Sequence, residues 1–470
     1  MPIDFRTIDK SARPLYRGLA DELARQIRNG ELQPGERLLT QDKLSKLLGI
    51  ARNTVCRAYQ VLDEKRLVST EVGRGTFVRS SSRGGIDDIG FDSENKAVIN
   101  FAFDSGRLRG WRPRDRAFRS LLSSIDASKP AGERWDPFGS NLNSTGSGWL
   151  QRHGVDCRPE RVVACWGHHH ALLLSILATT EVGDRIAVDR LTYPGILEIA
   201  GFLGRQVVPL SMDRYGTDPA SLDEICTTLR PQLVYLIPSL HHPMSITIPS
   251  HRREELGRIL HRHRIPFVED DSLRLLSDQT LDPLASRYPD LGVYIASFSK
   301  VVCREPQLEF LAIPETLQCR FRKAIWATLP PIAGTAARVG QALIDSGMAD
   351  DAIVRMRSLV RNRVEVASDR LGLGPRLDTS FPYLWLESNR EPSSDTIAER
   401  ALTEGVRILS AASFLAAPAT ALDEDGNQIC LIGPESLSDF EAGLRRLATV
   451  LAPEPRPALA PAMCRTTALE

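Results

Sequence analysis

From Leu15 to Asn29 the apolar residues Leu15, Leu19, Leu23 and Ile27 recur every four positions, which marks one face of a helix. Gly30 and Pro34-Gly35 predict its end and a turn. Thr40 is placed to cap a second helix, Gln41 to Leu48, with Leu44, Leu47 and Leu48 turned inward. After the short turn Gly49-Ile50, the stretch Ala51 to Lys65 carries Val55, Ala58, Tyr59 and Leu62 as a buried stripe. Leu67 to Val78 then reads as two short strands joined by Gly73-Arg74-Gly75. Helix, helix, short turn, helix and a glycine-tipped hairpin predict a winged helix-turn-helix. Ser80 to Lys96, rich in Ser, Gly and Asp, has little to bury and predicts a linker.

From Val98 onward the pattern changes. Strand-like runs (Val162–Ala164, Arg185–Val188, Leu233–Pro238, Pro266–Glu269, Gly292–Ala296) alternate with helical ones (Ala171–Thr179, Ile196–Leu203, Arg252–His263). That alternation predicts an α/β fold with a mostly parallel sheet. Amphipathic segments follow near Cys319–Thr328, Ala336–Ser346 and Val354–Leu371. A small C-terminal α+β subdomain comes next, closed by a helix over Ser438–Leu451. The organisation expected is a winged helix-turn-helix over 1–79, a flexible linker over 80–97, an α/β domain over 98–452 and a disordered, proline-bearing tail over 453–470.

Composition sharpens this picture in three respects. A chain of 470 residues exceeds one ordinary core and calls for two or three domains. No apolar run has the eighteen or so residues of a membrane span, and Met1-Pro2-Ile3-Asp4-Phe5-Arg6 lacks the apolar core of a signal peptide, so a cytoplasmic protein is expected. The 8 cysteines are scattered without a C-x-x-C pair and read as reduced thiols. The formal net charge is zero, yet residues 1–79 hold 15 Lys and Arg against 10 Asp and Glu, a net of +5. A basic N-terminal segment on a neutral chain points to nucleic acid.

The candidate chemistry lies in two places. Arg52, Asn53 and Thr54 open the third helix, where side chains reach base edges. Arg57 one turn on and Arg74 on the wing are placed for phosphates or the minor groove. A small helical domain that binds protein is the alternative. In the large domain Ser297-Phe298-Ser299-Lys300 follows a strand. A lysine there suits an imine with an aldehyde cofactor, or is an ordinary surface lysine at a strand end. Upstream, Ile265 to Asp271 reads as a buried strand ending in carboxylates. An acid there can keep a pyridine nitrogen protonated. The three histidines 168–170 invite a metal reading, but consecutive residues cannot converge on one ion without a sharp loop, so no metal is expected.

Pro-Gly-Glu-Arg-Leu (34–38), Leu-Gly-Ile-Ala-Arg-Asn-Thr-Val (48–55) and Gly-Arg-Gly-Thr-Phe-Val (73–78) resemble the GntR family of bacterial repressors. Ala51 departs from that family's usual serine. Strand-acid followed by strand-Ser-x-Ser-Lys resembles pyridoxal-phosphate enzymes of aminotransferase fold type I. Joined by a linker, the two resemble the MocR subfamily of regulators. Phe103-Asp104-Ser105-Gly106, Trp135-x-Pro137-x-Gly139 and Arg152-His153-Gly154-Val155 extend that likeness to about residues 13–450.

The resemblance implies a set of site residues. Lys300 is the imine lysine and Asp270 the partner of the pyridinium. Gly167, His168 and His169, between a strand and a helix, stand at the phosphate cradle, with the hydroxyls of Ser297 and Ser299 nearby. Tyr193 is a ring contact or an ordinary half-buried tyrosine. His241 is the candidate contact to the phenolic oxygen. The family's tyrosine is Ser272 here, its phosphate arginine is Gln307, one of its glycines is Glu309, and its substrate-carboxylate arginine aligns with Cys430, beside Gln428. Arg304 is the nearest replacement for the lost charge. The resulting expectation is a homodimeric regulator. Thr40, Arg52, Asn53, Thr54, Arg57 and Arg74 meet operator DNA, and the large domain senses pyridoxal phosphate or an amino-compound effector. The rival readings are a working aminotransferase with a DNA-binding appendage and a cofactor-free dimeric repressor.

Overall fold

A computed structural model of the chain describes residues 15–28, 32, 37–64, 67–71, 75–78, 98–104, 115–125, 138, 141–279, 281–304, 306–329, 332, 334–373, 379–387, 392–416 and 426–452. The linker and tail expected over 80–97 and 453–470 lie outside them, as do Ser105, Gly106, Trp135, Pro137, Gly139 and, on the wing, Gly73 and Arg74.

The N-terminal part is built as its periodicity dictates. Helices α1 (Leu15–Arg28), α2 (Gln41–Leu48) and α3 (Arg52–Glu64) precede the antiparallel strands β1 (Val68–Glu71) and β2 (Gly75–Val78). The Thr40 hydroxyl accepts the Lys43 N–H at 3.4 Å and caps α2. Gly49, at φ 65°, ends it in the left-handed region. Leu19, Leu23, Ile27, Leu44, Leu48, Val55, Ala58, Tyr59, Leu62, Val68 and Val78 form one closed core. Leu47 departs from expectation and is 60% exposed. It sits about 100° round the helix from Leu48, off the face that Leu44 and Leu48 bury.

The large domain centres on a seven-stranded sheet. Its strands are β3 (Val162–Trp166), β4 (Arg185–Asp189), β5 (Gln206–Leu210), β6 (Leu233–Leu236), β7 (Phe267–Asp270), β8 (Gly292–Ser297) and β9 (Leu308–Ala312). Across the sheet the order is β3-β9-β8-β7-β6-β4-β5. Neighbours from β8 to β5 are parallel, and β9 runs antiparallel to both β8 and β3. Successive residues face opposite layers. Val163, Ile186, Tyr235, Val268, Ile295 and Leu311 enter one core, while Val162, Ala187, Val234, Phe267, Tyr294 and Phe310 enter the other. Both faces are covered, which explains why these strands read as continuous apolar runs.

Helix α4 (Asn141–Arg152) precedes these strands, and α5 (Gly167–Thr179), α6 (Pro194–Phe202) and α7 (Ser250–His263) fall among them in the sequence. Helix α5 starts at Gly167, four residues before the expected Ala171, because its histidines are helical. After β9 come α8 (Gln318–Ala327), α9 (Gly334–Asp345) and the long α10 (Met348–Arg370). A three-stranded antiparallel sheet of β10 (Tyr383–Glu387), β11 (Leu409–Ser410) and β12 (Gly426–Cys430), with α11 (Ser394–Thr403) and α12 (Leu437–Leu451), makes the C-terminal α+β part.

The N-terminal core shares no residue with the cores of the large domain. Leu19, wholly buried in α1, therefore supports only its own unit. Leu19→Ala should cost about 2–5 kcal/mol. In calorimetry it should lower one unfolding transition and leave the other in place. An equal shift of all the heat absorption would contradict two separate cores.

Candidate functional site

The large sheet gathers its polar residues at the ends where β3, β4, β6, β7 and β8 finish, the edge at which α/β sheets bind ligands. Lys300 lies in the turn after β8, and its backbone N–H donates to the Ser297 hydroxyl at 3.0 Å. Its Nζ stands 5.4 Å from the centroid of the Tyr193 ring. Lys300, Asp270, Ser272, Tyr193, Ser239, His242 and Tyr383 line one cavity of about 30 Å³, room for about two waters.

Asp270 ends β7 and is 4% exposed. Its Oδ2 accepts the Tyr235 hydroxyl at 2.5 Å and lies 3.0 Å from His168 Nε2. Its Oδ1 accepts the backbone N–H of Ser272 at 3.2 Å and the hydroxyl of the same residue. Burial alone would push this carboxyl up. The His168 imidazole and its hydrogen bond, Lys300 and the Ser272 hydroxyl outweigh burial and hold it well below the usual carboxylate range. Asp270 is thus ionised, with its acceptors filled by side chains of the protein. His168 also meets the Ser272 hydroxyl at Nδ1, 3.1 Å away, and packs edge-on against Tyr193 with centroids 5.3 Å apart. The serine that replaces the family's tyrosine is a partner to both members of this pair.

The other end of the site is a cup. Gly167, at φ 73°, opens α5, and a Cβ there would lie 3.8 Å from Gln307 Oε1. Gln307 itself adopts φ 55°, a conformation rare for a side chain of this kind. The hydroxyls of Ser297 and Ser299 both donate to Glu309 Oε1, at 2.8 and 2.9 Å. Glu309 comes from β9, where cross-strand pairing sets it opposite Ser297 on β8 and Cys165 on β3. It is 1% exposed, and its Oε2 has no hydrogen-bond partner. Burial pushes its carboxyl up to about 8, against the pull of Lys300 and the two serines. Arg304 is exposed.

The remaining predicted residues separate into those inside and those outside the cavity. Tyr193 is inside, and its hydroxyl meets His169 Nε2 at 2.8 Å. His241, the expected contact to a phenolic oxygen, is not a lining residue: its Nε2 faces Asp189 Oδ2 at 3.3 Å in the core. Its neighbour His242 lines the cavity instead, packed against Tyr193 and Tyr383. Burial first, then Lys300, lowers His242 to about 3, so the ring is neutral. The three consecutive histidines point three ways: His168 to Asp270, His169 to Tyr193, and His170 to the Trp166 N–H and the Thr328 hydroxyl. Cys430 and Gln428 are buried on β12, and neither side-chain amide atom of Gln428 has a hydrogen-bond partner. Tyr235, His242 and Tyr383 went unforeseen. Only His242 carried a signal, its place beside His241 in a Pro-Ser-x-x-His-Pro run.

On the N-terminal part, Arg52, Asn53 and Arg57 are exposed and Thr54 is half-buried. Arg52 Nε pairs with Asp42 Oδ1 at 3.0 Å, both side chains open to solvent. The Arg57 guanidinium lies 5.7 Å from the Tyr16 ring centroid.

Residues 15–78 match the model of the bacterial regulatory proteins of the gntR family. The chain is similar along almost its whole length to the HTH-type transcriptional regulator YdeF of Bacillus subtilis (strain 168), 27% identical over 95% of this chain and 96% of that one. It is 24% identical to the probable rhizopine catabolism regulatory protein MocR of Rhizobium meliloti, over 75% of this chain and 76% of that one. These matches support a MocR-type GntR regulator. The regulator's large domain has the aminotransferase fold. Its structure aligns with that of LysN, the alpha-aminoadipate aminotransferase of Thermus thermophilus, at a TM-score of 0.65 and 22% identity, over 76% of this chain and 92% of that one. Among the described residues no helix is long and apolar enough to cross a membrane.

The Glu309 carboxyl sets a stability slope. The folded chain holds its proton up to about pH 8, whereas the ordinary value is 4.5. The native state therefore binds more protons than the unfolded state between those values, and stability falls as pH rises through that window. Glu309→Gln removes this loss. The Tm of the variant relative to the unaltered regulator should rise steadily from about pH 5 to about pH 8. A difference that stays constant with pH would count against a buried, protonated Glu309.

Proposed function

We propose that residues 1–79 of this regulator read operator DNA, and that residues 98–452 dimerise and sense a small effector at the cavity around Lys300. The observation that carries the first half is the two-sidedness of α3. Val55, Ala58, Tyr59 and Leu62 hold one side in the core, while Arg52 and Asn53 stand exposed at its start. A helix held in this way can enter the major groove and present bidentate groups to base edges. Arg57 and Arg74, with the basic balance of the segment, are suited to phosphates. Phe202, 91% exposed, and Trp326, 75% exposed, are apolar surface of the kind a subunit interface covers. Paired readers would favour two repeated or palindromic half-sites.

The resemblance to pyridoxal-phosphate proteins raises the question of fit. Lys300 and Asp270 are the groups that an aldehyde and a pyridinium require, and that cofactor would supply an electron sink. The phosphate end does not fit. It has an amide, Gln307, where a cation is needed, and a buried carboxyl on both serine hydroxyls. We therefore assign the cavity to an amino-compound effector. A transaminase must also clamp its substrate carboxylate, which a guanidinium does through two parallel hydrogen bonds. Neither Cys430 nor Gln428 carries such a charge, which favours sensing over turnover.

Selection of random duplex DNA by the full chain should recover a sequence with two half-sites. Arg52→Ala should weaken binding to that sequence by about 5- to 150-fold, the worth of one bidentate base contact, while the mass of the dimer in solution stays the same. An Arg52→Ala chain that binds the selected sequence as tightly as the unaltered chain, and still prefers it to unselected DNA, would remove α3 from the reading. Incubation with common amino acids and 2-oxoglutarate should give negligible keto acid. Turnover near 1 per second, typical of enzymes, would favour the aminotransferase reading instead.

A further inference from the structure

The cup beside Gly167 has the parts of an anion site: the first turn of α5 and the two serine hydroxyls, Ser297 and Ser299. Those hydroxyls already face a single oxygen of Glu309, and that of Ser299 also reaches the Leu308 carbonyl at 3.0 Å. The carboxylate is not a flexible side chain that has swung in. It hangs from the middle of a paired strand, one row across from Ser297, with Cys165 on its other side. Its second oxygen is buried without a hydrogen-bond partner, so the carboxyl takes up the space beside the serines. Gln307 contributes an uncharged amide whose carbonyl oxygen lies toward the Gly167 position. At the opposite end Asp270 is filled by His168, Tyr235 and Ser272.

We propose that Glu309 is a specificity-determining residue: its buried carboxyl fills the anion cup and bars phosphate monoesters from it, so that this regulator responds to ligands without a phosphate group. This deepens the reading of the cavity as an effector site and is independent of the DNA-binding half. A phosphate brought into the cup would have to displace the serine hydroxyls from Glu309 and find room beside a side chain anchored in a paired strand. Neutral Gln307 offers no compensation.

The experiment uses the full chain and two probes that differ only in the phosphate, pyridoxal 5′-phosphate and pyridoxal, each titrated by absorption and by calorimetry. The unaltered chain should bind the phosphorylated probe no more tightly than the free one. Glu309→Gly, which empties the cup, should raise the ratio of affinities in favour of the phosphate by about 10-fold, and Glu309→Gly with Gln307→Arg by about 100-fold, the range expected from a charge-assisted contact. Binding of pyridoxal 5′-phosphate to the unaltered chain at least about 10-fold more tightly than pyridoxal would overturn the proposal without any variant. So would a ratio that does not rise in the double variant when its thermal unfolding remains cooperative. Loss of DNA binding would count against the reading of α3 and leave these ratios untouched.

Discussion

Two carboxylates are taken out of water on either side of the strand that carries Lys300, and the rest of the pocket is arranged around that burden. Asp270 ends β7, Glu309 lies in β9, and β8 runs between them. An unpaired buried charge costs several kcal/mol. The two are handled in opposite ways. Asp270 is ionised because two hydroxyls, one backbone N–H and an imidazole converge on it. Glu309 has two hydroxyls on one oxygen and nothing on the other, and keeps its proton instead. Lys300 acts electrostatically on both, which ties the three strands into one polar unit.

The run Glu269-Asp270-Asp271 shows how finely the sheet sorts like residues. Glu269 accepts the backbone N–H groups of Leu284 and Ala285 at 3.0 and 2.7 Å, with Arg253 Nη1 3.7 Å away. Asp271 accepts the Tyr294 hydroxyl at 3.1 Å and faces Arg274 Nε at 3.5 Å. Of the three, only Asp270 lines the cavity. Strand alternation explains why neighbouring acids reach different partners, and each finds donors suited to its side of the sheet.

Much of this was legible in the sequence because it follows from periodicity. The four-residue spacing of α1, the stripe of α3 and the apolar runs of β4, β7 and β8 all became elements near their expected places. Leu308–Ala312 was not foreseen as a strand. A glutamate in the middle of an apolar run argues against burial, unless two serines from a neighbouring strand are already known to face it. His241 and His242 could not be told apart for a similar reason. One residue of difference decides between the core and the cavity, and the backbone turn that makes the choice leaves no periodic trace. His168 read as a cradle residue, and its attachment to Asp270 spans 102 positions in the chain.

Strand β9 also carries information in its length of approach. Its residues alternate between two cores, with Leu308 and Phe310 on one side and Leu311 on the other. Glu309 shares the side of Leu311, two positions on. Adding or removing a single residue between Lys300 and Leu308, with the ladder re-formed one step along, would turn a hydrocarbon toward the two serines and bury the acid in grease. Changes of two residues would keep its side. What kind of molecule this pocket admits is therefore written partly in the parity of a loop, a property that no inspection of individual side chains would reveal.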